Sequence, residues 1–153
     1  MKNLDEIDRR ILRALQADGR MQNIELADHV GLSTSPCLRR VKWLEDNGII
    51  ERYVALLNAQ KLDVGLTVFV RIWLNGQDAE AVDHFTQEVL KLPQVVECHL
   101  MAGDCDFLLR VVAGDLTGYR KFQGDYLATI KGVKSVKTEV PMQTIKLTSA
   151  LPI

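Results

Sequence analysis

The spacing of the apolar residues changes partway along the chain, and that change limits the possible folds more than any other feature. Up to about residue 57, apolar side chains recur every three or four positions, which is the spacing of a helix face. From residue 66 the apolar runs become alternating or rich in β-branched and aromatic residues, and two helical stretches interrupt them. A chain of 153 residues with that break reads as two small domains, residues 1–57 and 66–153, joined by a turn-rich linker at 58–65.

In the first part, Asn3 and Glu6 have the spacing of a capping box. Leu4, Ile7, Ile11, Leu12 and Leu15 then continue at helical spacing until Gly19. A short second helix fits Ile24–Val30, with Asn23 as its cap and Gly31 ending it. A third opens around Thr34-Ser35-Pro36 and runs to about Asn47, with Leu38, Val41 and Leu44 turned inward. Ile49–Leu57 reads as a short strand or two rather than another helix, and the head as a winged-type helix-turn-helix.

A short helix, a glycine turn and a second helix that opens on hydroxyl residues form a helix-turn-helix. Arg39, Arg40 and Lys42 are expected on the outer face of the third helix, and Ser33, Thr34 and Ser35 place hydroxyls at its entry. Such a face suits phosphates and base edges, and these six residues are the candidate DNA-binding set. On pattern alone, a three-helix bundle with solvated charges remains an alternative. Charge does not separate the two, because the net charge is −1 and residues 1–60 hold nine basic and nine acidic groups. DNA binding would have to come from a local patch.

In the second part, strands are expected at Leu66–Leu74, Val95–Met101, Phe107–Val112 and Val133–Val140, with helices at Asp78–Leu92 and Leu116–Ile130. The order β-α-β-β-α-β gives an α+β chain with a ferredoxin-like domain, a four-stranded antiparallel sheet with both helices on one face. Phe69, Trp73, Phe107, Leu108 and Val112 would make the other face too apolar for water. A second copy of the chain is the expected cover.

Other chemistry finds little support. Cys98, His99, Asp104, Cys105 and Asp106 lie close in sequence, but strand alternation sends Cys98 and His99 to opposite faces, so no metal site is expected. No nucleophile has both a base and an oxyanion donor, so no catalytic residue or cofactor is assigned. Three scattered cysteines, the lack of an apolar leader and the lack of a long apolar run lead to the expectation of a reducing cytoplasm and no membrane.

Several segments together resemble the leucine-responsive/AsnC (feast/famine) family of regulators, and the leucine-responsive branch more than the asparagine-specific one. They include Leu4-Asp5-Glu6-Ile7-Asp8, Asn23-Ile24-Glu25-Leu26-Ala27, Val30-Gly31-Leu32-Ser33-Thr34-Ser35-Pro36-Cys37-Leu38 and Arg40-Val41-Lys42-Trp43-Leu44-Glu45. Further along come Ala55-Leu56-Leu57-Asn58, Glu97-Cys98-His99-Leu100-Met101-Ala102-Gly103-Asp104 and Asp106-Phe107-Leu108-Leu109. The resemblance implies a transcriptional regulator rather than an enzyme. Its partners would be double-stranded DNA carrying an imperfect palindrome and further copies of itself, as a dimer and a higher assembly such as an octamer. It also implies an amino-acid effector, with leucine or methionine as the candidates, held by Leu100, Met101, Gly103, Asp104, Asp106 and Ala128. The turn chemistry agrees: free amides can hold a carboxylate, and Asp106 could pair with an α-ammonium. Read without the family, the same turn is an ordinary hairpin with solvated acids, and the rival function is an architectural DNA-binding protein with no effector.

Overall fold

The computed structural model describes residues 4–153. It forms two compact units, one made of the residues up to Leu56 together with Lys146–Ile153, the other of Leu57–Ile145.

The first unit has three helices, α1 (Glu6–Ala17), α2 (Asn23–Val30) and α3 (Thr34–Asp46). A capping box does open α1, but two residues later than the spacing suggests. The Asp8 N–H donates to Asp5 Oδ1 at 2.8 Å, and the Asp5 N–H donates to Asp8 Oδ2 at 3.1 Å. Asn3 lies outside the described residues, and Glu6 pairs with Arg13. Asn23 is the first residue of α2 rather than its cap. Its amide donates to the Thr34 carbonyl at 2.9 Å and so fixes the start of α3 against the start of α2. Gly31 ends α2 at φ +74°, where a side chain would be strained. Ile11, Leu26, Cys37 and Leu44 are fully buried at the centre of this unit.

Two expectations for this part of the chain need correction. Residues 49–58 contain no strand, and Val54, Leu56 and Leu57 are exposed. Their β-branched composition suits a strand, but a strand needs a ladder partner, and no described residue supplies one. The tail, read above as part of the second domain, packs on α1. Leu151 exchanges hydrogen bonds with the Gln16 side chain, Arg13 Nε donates to the Ile153 carbonyl at 2.6 Å, and Ile153 packs against the core of the first unit.

The second unit opens with a 3₁₀ turn, Ala59–Leu62, in the span expected to be linker; the Asn58 carboxamide caps it. There follow β1 (Leu66–Leu74), α4 (Ala79–Val89), β2 (Val95–Leu100), β3 (Phe107–Ala113), α5 (Leu116–Phe122) and β4 (Val133–Glu139). The antiparallel sheet has the order β2-β3-β1-β4. Val68, Val70 and Ile72 alternate into a core shared with Leu109, Val111, Phe85 and Leu127. The helix expected to reach Ile130 changes at Gln123–Leu127 to a π-helical segment. Phe107, expected on the open face, is buried in this core against Phe85, with ring centroids 4.4 Å apart. The open face carries Phe69, Arg71 and Trp73 of β1 beside Leu108, Arg110 and Val112 of β3. No helix among the described residues is long and apolar enough to cross a membrane.

Candidate functional site

The inner stripe of α3 is Cys37, Val41 and Leu44. That places Ser33, Thr34, Ser35, Arg39 and Lys42 on the exposed side, as the sequence suggests. Two residues exchange roles. Leu38, expected in the core, is 55% exposed. Arg40, expected outside, is half-buried, and its Nη1 lies 2.6 Å from Asp5 Oδ2 and 2.7 Å from Asp8 Oδ1. Asp8 is buried, so Arg40 neutralises a carboxylate that water cannot reach. The Asp8 backbone N–H and then Arg40 hold the Asp5 carboxyl below its ordinary range, while the two acids push the Arg40 guanidinium up. Arg40 therefore ties α3 to the start of α1.

The N-terminus of α3 is open. Ser33 occupies the cap position, yet its side chain makes no capping hydrogen bond. Helix N-termini with unsatisfied N–H groups favour anions. Among the described residues, neither Arg39 nor Lys42 has an ion pair. Glu45 and Asp46 sit at the other end of the helix, where Glu45 accepts from the Tyr53 hydroxyl at 2.9 Å. The entry of α3 thus combines hydroxyls, two exposed cations and a positive helix end.

Leu100, Met101, Gly103, Asp104 and Asp106 come together in the β2–β3 hairpin, which the Met101 N–H to Asp106 carbonyl bond closes at 2.9 Å. Ala128 is on another element, just past the π-helical segment, and no hydrogen bond or ion pair among the described residues links it to the hairpin. The two acids of the hairpin differ. Asp106 is buried, and both its oxygens already accept, Oδ2 from the Leu74 N–H at 2.7 Å and Oδ1 from Gln77 Nε2 at 2.6 Å. The residue expected to face an α-ammonium is turned inward and locks the hairpin to the end of β1. Asp104 is the exposed acid, and its carboxylate lies 3.8 Å from Arg71.

The hairpin backbone is anchored where Trp73 Nε1 donates to the Asp104 carbonyl at 2.6 Å. Among the described residues, the N–H groups of Ala102, Gly103, Asp104 and Cys105 have no acceptor. A side chain at Gly103 would meet nothing within 4 Å, so the fold itself does not demand glycine there. Arg71, Trp73 and Gln77 are the residues sequence reasoning missed. Arg71 and Trp73 share a face through β1 alternation, whereas nothing in the sequence marks Gln77. The register pairs Cys98 with Leu109 and His99 with Leu108, which sets them on opposite faces.

Residues 67–151 match the Lrp/AsnC ligand binding domain, and residues 4–51 match a winged helix-turn-helix DNA-binding family. Over 152 residues the chain is 46% identical to the leucine-responsive regulatory proteins of Klebsiella pneumoniae and Escherichia coli K12, covering 99% of this chain and 93% of each relative. It is also similar to the solved structure of a transcriptional regulator from Neisseria meningitidis in complex with L-Met. That match has a TM-score of 0.94 and 38% identity, and covers 98% of this chain and 97% of that one. An AsnC family transcriptional regulator from Agrobacterium tumefaciens matches with a TM-score of 0.92 and 42% identity over 97% of each chain.

Proposed function

The chain belongs to the Lrp/AsnC family, and from that premise we propose how it acts as a DNA-binding transcriptional regulator modulated by an amino acid. The observation that carries the DNA contact is the entry of α3, an open helix N-terminus beside Arg39 and Lys42, neither with an ion pair among the described residues. Ser33, Thr34, Ser35, Arg39 and Lys42 make the contacts, and Arg40 holds the helix that presents them. Two copies place their α3 helices on an imperfect palindrome with half-sites about one helical turn, roughly 10 bp, apart or a multiple of that. Copies pair through the open sheet face and assemble further, in the cytoplasm, to a complex such as an octamer.

The effector is an amino acid with an apolar side chain, leucine or methionine. Its carboxylate meets the free N–H groups of residues 102–105, its ammonium meets Asp104, and its side chain lies by Leu100 and Met101, both exposed. Ala128 completes the site from another copy. The L-Met in the Neisseria meningitidis relative supports this choice of ligand. Binding alters how copies associate, which requires unequal affinity for two assembly states, worth about 1–3 kcal/mol.

The test is fluorescence anisotropy with the full-length protein, the DNA upstream of its own gene and a scrambled control at fixed salt, with and without leucine or methionine. The expected result is preference for the native fragment and a shift of about five- to 150-fold with one of the two ligands. The Asp104→Asn variant should keep the preference and lose the shift. Equal affinity for both DNAs would favour the architectural alternative, although the balanced charge of residues 1–60 disfavours binding without sequence preference.

A further inference from the structure

Leu38 projects from α3 with 55% of its surface exposed, although it directly follows Cys37, which is wholly buried. A helix turns by about 100° per residue, so Thr34, Leu38 and Lys42 form one row along its exposed flank. A single exposed leucine is ordinary. This one stands between a hydroxyl and an ammonium, next to Arg39, which has no ion pair among the described residues, and one turn from an open helix N-terminus. Those surroundings fit a polyanion and would oppose an apolar protein partner, which would have to desolvate Lys42 and Arg39 without neutralising them. The floor of the DNA major groove offers one apolar group, the C5-methyl of thymine.

We propose that Leu38 is a specificity-determining residue that packs against a thymine methyl, so that the operator half-site requires a thymine beneath the first two turns of α3. This rests on α3 being the DNA-contacting helix. The neighbouring hydroxyls and cations set the helix on phosphates and polar base edges. Leu38 rejects cytosine at its own position, because cytosine presents an amino group and no methyl there.

The test separates this proposal from the premise. The full-length protein first selects duplexes from a random pool. Each thymine of the enriched half-site is then replaced in turn by deoxyuridine, which removes the methyl and leaves every hydrogen-bonding group in place. The parent should lose about fourfold in affinity at one position per half-site, as expected for one buried carbon. L38A should lose affinity for the unmodified duplex and show no further loss at that position. Because Leu38 is exposed, the variant should melt with the parent. If no thymine responds, or L38A responds as strongly as the parent, Leu38 does not read a methyl, while sequence-specific binding stands. If selection enriches nothing, both the proposal and the DNA-reading premise fail.

Discussion

Arg39 and Arg40 are neighbours on α3 with opposite tasks. Arg40 lies over Asp8, a buried acid, and Asp5, whereas Arg39 is exposed and has no ion pair among the described residues. Removing Arg40 leaves Asp8 buried with only a backbone donor, at a cost of about 2–3 kcal/mol. R40A should therefore lower the urea midpoint of unfolding. R39A should leave that midpoint unchanged, weaken DNA binding and reduce the salt dependence of binding by about one unit of slope. A stable R40A that lost DNA affinity as R39A does would return Arg40 to the contact set. The sequence could not separate these two residues. Moving the boundary of a helix face by one position exchanges Leu38 for Arg40, and the usual preference puts leucine inside and arginine outside. What overrules it here is a pair of acids on α1, which the pattern of α3 cannot reveal.

The start of α1 depends on charge. The Asp8 backbone N–H first, and Arg40 second, favour the ionised form of Asp5 and lower its pKa below the ordinary 3.8. A carboxyl depressed in the folded state binds fewer protons there than in the unfolded chain. Its contribution is thus complete above pH 3.8 and is lost as pH falls through the lower folded value. Asp5→Asn should flatten that part of the acid-unfolding curve followed by circular dichroism, and superimposable curves for parent and variant would remove Asp5 from the acid response. At this scale β1 was legible end to end, because a run rich in β-branched and aromatic residues spans the whole strand. The strand expected over Ile49–Leu57 is absent, since propensity is local and pairing is not. The π-helical segment that follows α5 has no counterpart in the apolar spacing, which continues through Tyr126 and Ile130 as if the helix were regular. In the hairpin, the cluster of site residues was legible as a turn. The inward direction of Asp106 was not, because it depends on Gln77 and the Leu74 amide, some thirty positions earlier.

At the scale of the whole molecule, a four-stranded sheet with helices on one side must do something with its other side. Here that side carries Phe69, Trp73, Leu108 and Val112 among charges that are paired within the chain. Arg110 lies 2.7 Å from Glu97, and Arg71 and Lys137 share Glu139 at 3.4 and 3.3 Å, with Asp104 beside Arg71. Three cations thus balance three anions. Two such faces can approach without net repulsion, and the apolar residues between the pairs supply the attraction. In a two-fold contact each residue is used twice, so one substitution removes two contributions. Leu108 is placed on β3 between Arg71 of β1 and His99 of β2, on an inner strand of the sheet. Leu108 is already half-buried within the chain, so covering what remains exposed is worth about 0.5–1 kcal/mol per copy, and its loss from both copies should weaken the dimer by roughly tenfold. Leu108→Asp adds a buried charge to that loss. Sedimentation velocity at micromolar concentration should show monomers with an unchanged circular dichroism spectrum, and DNA affinity should fall because the two half-sites are no longer bound together. A variant that stayed dimeric would move the contact elsewhere. The next surface to test would be the edge strand β2, where Val96 and Leu100 are exposed and, among the described residues, one side of the backbone ladder has no neighbouring strand.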